Sequence, residues 1–134
     1  MKKVNKYLRL LPPLIWMALI FWASSQPKVG VGGNYWVSFA IFKTIHVIEY
    51  GILYSLLRLG FGKAKSANLV AIVIATFYGM SDEFHQTLVP TREGTIRDVI
   101  IDFFGIIIFS QFIFDFAVER LKKIKLFRQT YPQV

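Results

Sequence analysis

Apolar residues run along this chain in four blocks, each close to the length of a membrane-spanning helix, with short polar or glycine-rich breaks between them. The first covers about 8–24, with Pro12 and Pro13 near its start, where missing backbone donors matter least. The second covers about 36–59, the third about 67–89 and the fourth about 96–118, ahead of a basic tail at 119–134. Crossing a bilayer as helix takes roughly 20 mostly apolar residues. A soluble helix would bring polar residues back every turn or two to wet an outer face. Pro90 is expected to stop the third helix, and the links "SQPKVGVGGNY" and "GFGKAKS" read as tight turns. The pattern predicts an all-α, polytopic membrane protein of one domain, folded as a four-transmembrane-helix bundle joined in sequence order.

Composition agrees with the pattern. Of 134 residues, 54% are hydrophobic, and the mean hydropathy of +0.48 is too apolar for a soluble domain of this size. The formal net charge of +8 raises the question of nucleic acid, but the charges sit at block ends rather than in a binding stripe, so no nucleic acid is expected. Twelve of the 16 basic residues fall at the N-terminus, in the second link and in the tail. By the positive-inside rule both termini are cytoplasmic, as in a multi-pass plasma-membrane protein oriented N-in and C-in. The basic start and small-residue end of the first block also suit a signal peptide, but its apolar run is long for one and further spans follow. There is no cysteine, which excludes disulfides and thiolate-bound zinc.

Polar residues interrupt three of the blocks. Lys43, His46 and Glu49 recur at spacings of three, with Tyr50 beside Glu49. Asp82, Glu83, His85 and Gln86 arrive within five residues near the end of the third block, and Arg97, Asp98 and Asp102 open the fourth. With helices alternating in direction, all three groups reach one depth, in the outer half of the bilayer. A charge at depth costs about 2.5–3.5 kcal/mol even on the lenient insertion scale. Convergence on the bundle interior lets the groups pair, for example Lys43 with Glu49 or Arg97 with Asp82. The expectation is an outward-facing, water-accessible polar pocket. Some members also have plain explanations: Thr95 to Asp98 fits a helix-capping pattern, and Glu83 and Arg92 suit headgroup-level charges.

The joint pattern Lys43-x-x-His46-x-x-Glu49-Tyr50, Asp82-Glu83-x-His85-Gln86, Pro90-x-Arg92 and Arg97-Asp98-x-x-x-Asp102-x-x-Gly105 resembles the VanZ-like membrane proteins. The "SSQP" at Ser24–Pro27 is also similar to that family. The resemblance covers roughly residues 10–110, with Thr91 where a glycine is usual and Leu88 where an aromatic is common. It implies a small bacterial cell-envelope protein, in a family whose founding member is linked to low-level resistance to teicoplanin, a glycopeptide that targets the cell-wall precursor.

Three uses of the pocket are consistent with these residues. One is binding or modification of an envelope amphiphile, a lipid-linked cell-wall precursor or the lipid anchor of a lipoglycopeptide. Lys43, Arg92 and Arg97 then hold phosphate or carboxylate, Glu83, Gln86 and Asp98 belong to the binding set, and Tyr50 and Phe84 line an apolar entrance. The second is an intramembrane enzyme with His46 or His85 as base and Glu49, Asp82 or Asp102 as acid or orienting partner. The third is proton coupling or transport. A structural charge network without ligand stands beside them. No cofactor is expected, and nothing matches a zinc signature. The spacings Asp82-x-x-His85 and His46-x-x-Glu49 mark His46, Glu49, Asp82 and His85 as the metal candidates.

Overall fold

The computed structural model describes residues 6–27, 33–62 and 64–113, with 116, 119, 120 and 123 beyond them. Among the described residues the chain is all-helical. A 3-10 turn at Lys6–Arg9 leads into α1 (Leu11–Ser24), followed by α2 (Tyr35–Phe61), α3 (Ala67–Gln86) and α4 (Ile96–Ile108). A wider π-helical turn, Phe109–Ile113, continues α4. The end of the fourth predicted helix, most of the basic tail and the centre of the glycine-rich link lie outside the described residues.

Local chemistry explains most of the boundaries. Pro12 and Pro13 occupy the first turn of α1. The Asn34 side chain accepts from the Trp36 N–H at 2.9 Å and opens α2, which ends at Gly62 with φ 67°. The Thr95 hydroxyl oxygen accepts from the Asp98 N–H at 3.2 Å and opens α4.

The end of α3 differs from the expectation. The α-helix stops at Gln86, within the polar group, rather than at Pro90. Residues 87–90 continue as a tight turn in which Leu88 and Val89 N–H groups bond three residues back, to the carbonyls of His85 and Gln86. Pro90 disfavours helical backbone at Val89, and the chain must then double back so that the Thr95 N–H reaches the Glu83 carboxylate at 3.0 Å.

Consecutive helices are antiparallel. α2 is central and touches each of the other three, lying side by side and parallel with α4. Its buried face, Tyr50, Leu53, Tyr54 and Leu57, packs with Ile20 of α1, Ala71 and Ala75 of α3 and Ile106 of α4. α3 meets this face with small residues one turn apart, Ala67, Ala71, Ala75 and Gly79, all buried. Close helix approach of this kind is how membrane bundles pack. Gly105 of α4 lies against the Val47 backbone of α2, where a β-carbon would collide.

Two helical stretches, Tyr7–Ser24 and Tyr35–Phe61, are long and apolar enough to cross a membrane, and only 17% and 28% of their best apolar windows are covered by the rest of the chain. All four helices expose large apolar side chains: Leu14 and Trp22, Ile41 and Ile48, Val73 and Phe77, Ile100 and Phe104.

Candidate functional site

The α2 residues spaced by three do not share one side of the helix. Each step of three residues turns back by about 60°, so Lys43 to Glu49 sweeps about 120° around the axis. Lys43 therefore meets α4, with its Nζ 2.6 Å from Asp98 Oδ1. One turn deeper, His46 Nδ1 is 2.8 Å from Asp102 Oδ1 of α4 and 3.9 Å from Glu83 Oε1 of α3. Glu49 turns toward α1 and α3, where it lines a cavity. No hydrogen bond or ion pair holds its carboxylate among the described residues.

The acidic end of α3 continues its small-residue face. Asp82, Glu83 and Gln86 follow Gly79 on the buried side, at 3–5% exposure. The Gln86 amide donates to Asp82 Oδ2 at 2.9 Å and to Glu83 Oε1 at 3.3 Å. Tyr50, fully buried beneath them, donates its hydroxyl to Asp82 Oδ2 at 3.2 Å. It is the floor of the cluster rather than part of an apolar entrance, and Phe84 projects outward at 69% exposure. Glu83 faces the bundle interior and is buried there. Asp82 Oδ1 and Asp102 Oδ2 are buried with no hydrogen-bond partner among the described residues.

The expected ion pairs are replaced by others. Lys43 takes Asp98 rather than Glu49, because the two lie on different sides of α2. Arg97 does not reach Asp82; it is largely exposed, 3.6 Å from Asp98 and stacked over Phe39. Asp98 is bound by Lys43 through its side chain, while capping falls to Thr95.

His85 and Arg92 belong mainly to the seam with α1. The His85 ring stacks on Phe21 with centroids 4.5 Å apart, and its Nε2 lies 3.0 Å from Ser25 Oγ. Arg92 donates from Nε to the Gln26 carbonyl at 2.7 Å and from a terminal nitrogen to the Ala23 carbonyl at 2.8 Å. A cation on the unsatisfied carbonyls of a helix C-terminus is favourable for both charge and hydrogen bonding. The end of α1 and the "SSQP" stretch are thus the seat for His85 and Arg92. Among the metal candidates, His85 stands apart from His46. The group that does converge is His46, Glu83 and Asp102, whose ligand atoms lie within 4.8 Å of one another.

Two cavities flank this cluster. One of about 280 Å³ lies where α2 and α4 begin, walled by Tyr35, Phe39 and Arg97 with Lys43 and Asp98 at its inner edge. The other, about 140 Å³, lies between α1, α2 and α3 and is lined by His46, Glu49, Asp82, Gln86 and Arg92 together with Ile20 and Ile45. Phe42 and a gap of about 20 Å³ stand between them.

A family model described as VanZ/LLP1 matches residues 9–117, which include every residue of this cluster. The chain belongs to the VanZ/LLP1 family. Neither a curated protein nor a solved structure matches it. In this VanZ/LLP1 chain the four motif groups meet at one end of the bundle, although their individual partners were not legible from spacing. The α3 stripe Ala67, Ala71, Ala75 and Gly79 was the missed signal: its spacing of four names the inward face and shows that Asp82, Glu83 and Gln86 share it.

Proposed function

We propose that this VanZ/LLP1 protein spans the membrane four times, with both termini cytoplasmic, and holds the polar head of an envelope amphiphile in a pocket of the outer leaflet. Its candidate ligands are a lipid-linked cell-wall precursor or a lipoglycopeptide anchor, the latter connecting the family to glycopeptide resistance. The observation that carries this reading is the pair of adjoining cavities. Each is smaller than the 300–1,000 Å³ typical of sites that engulf a whole ligand, so together they suit a headgroup whose tail stays outside. Exposed apolar residues on all four helices offer that tail, and the bilayer itself, a matching surface. The smaller cavity offers the carboxylate of Glu49, and the wall of the larger one offers the cations Lys43 and Arg97, as polar contacts for such a head.

The test is lipid analysis of the protein extracted in native-membrane nanodiscs. Wild type is expected to enrich one amphiphile class several-fold over bulk membrane, and Glu49→Ala and Arg97→Ala to reduce that enrichment at unchanged expression. A lipid profile equal to bulk membrane in all three would overturn the reading. In a null background, the same two variants are expected to alter teicoplanin susceptibility relative to wild type.

A second reading, chemical action on the bound amphiphile, draws on the His46–Asp102 contact, which orients an imidazole as a general base requires. Appearance of a modified amphiphile with wild type but not with His46→Gln distinguishes it from binding alone.

A further inference from the structure

Among the described residues the inner cluster holds more carboxylates than cations. Glu49, Asp82, Glu83 and Asp102 gather around His46, while Lys43 is taken by Asp98 and Arg92 by the α1 carbonyls. With His46 neutral and all four carboxylates ionised, Arg92 is the one cation beside them among the described residues, and burial makes such an excess costly. Among the described residues two carboxylate oxygens also have no hydrogen-bond partner: Asp82 Oδ1 and Asp102 Oδ2, on residues 4% and 1% exposed.

We propose that His46, Glu83 and Asp102 bind one divalent transition-metal ion, Mn²⁺ or Zn²⁺, at the floor of the pocket. Their ligand atoms lie within 4.8 Å of one another. The separations of 2.8 Å from His46 to Asp102 and 3.9 Å from His46 to Glu83 bracket the about 3.3 Å between neighbouring ligands of a tetrahedral zinc. One imidazole with two carboxylates favours these ions over Ca²⁺ or Mg²⁺, which prefer all-oxygen sets, and over Cu⁺, which prefers sulfur. Of the three ligands, Glu83 is held in place by its neighbours: the Thr95 N–H donates to Oε2 and the Gln86 amide to Oε1. A divalent ion offsets two of the three negative charges that the fully ionised cluster carries in excess. Three protein ligands leave positions for water or a ligand oxygen.

The site deepens the amphiphile reading without depending on it, because ion content is measured with no amphiphile present. The full chain, carrying an affinity tag free of histidine, is purified in detergent, stripped with chelator and titrated with Mn²⁺ and with Zn²⁺. Bound ion is read by elemental analysis, and Mn²⁺ also by electron paramagnetic resonance. About one ion per chain is expected, with affinity at least tenfold weaker in the near-isosteric Asp102→Asn and Glu83→Gln and in His46→Gln, and unchanged in His85→Gln. Wild type that binds no saturable ion overturns the proposal, with no variant needed. So does an ion that Asp102→Asn and Glu83→Gln retain at wild-type affinity. Metal binding without amphiphile enrichment removes the functional reading alone.

Discussion

Thr91 stands at φ 67°, in the left-handed region where an L-residue is strained and a β-branched one especially so. The VanZ-like pattern usually has glycine there, and the backbone shows why: the turn after Pro90 must reverse sharply to aim Arg92 at the Ala23 and Gln26 carbonyls. Thr91→Gly is expected to raise stability by about 1 kcal/mol, strain relief offset in part by the freer unfolded chain. Thermal unfolding in detergent checks it; a lower midpoint would mean that contacts of the threonine side chain outweigh the strain. At this scale, sequence alone pointed to the right residues but not to their partners. Lys43 and Glu49 share a helix and carry opposite charges, yet two backward steps of about 60° send them to different neighbours. Arg97 and Asp82 likewise complement each other on paper, but Arg97 points out over Phe39.

At the scale of elements, the distance between α2 and α4 sets the site, since Lys43–Asp98 and His46–Asp102 both bridge them. Gly105 against the Val47 backbone holds that distance. Gly105→Ala is expected to cost about 1–3 kcal/mol through overpacking and to pull both bridges apart. Gly33→Ala, whose added carbon meets nothing within 4 Å, should stay within about 0.5 kcal/mol of wild type. Denaturant titration of the two variants in detergent makes the comparison, and equal midpoints would sink the close-approach argument. The small residues of α3 act in the same way, letting Asp102 and Tyr50 come up to the helix that carries Asp82. The loop after α3 contributes through Gly94, which packs so closely on the Glu83 carbonyl that a side chain there would collide. That approach places the Thr95 N–H on Glu83, and the helix gives way to a turn at Gln86 to allow it.

For the whole molecule, the end of the bundle that gathers the polar residues is the end opposite the chain start, and the proposed orientation puts it outside the cell. Because the chain has no cysteine, Glu93→Cys at the wall of the larger cavity is expected to react with an impermeant thiol reagent added to intact cells, and Lys65→Cys at the far end to be protected. The reverse pattern would invert the topology. The sequence by itself determined the helical class, the approximate extent of the helices, the orientation signal and the residues that gather at one end. These follow from local physics: hydrophobic runs, prolines and the cost of charge in an apolar setting act within a segment. Only the tertiary structure decided which carboxylate faces which cation, that His85 serves the α1 seam while His46 meets Glu83 and Asp102, and where α3 ends. Those outcomes depend on helix rotation and on interhelical distance, set where small residues of one helix meet the backbone or rings of another.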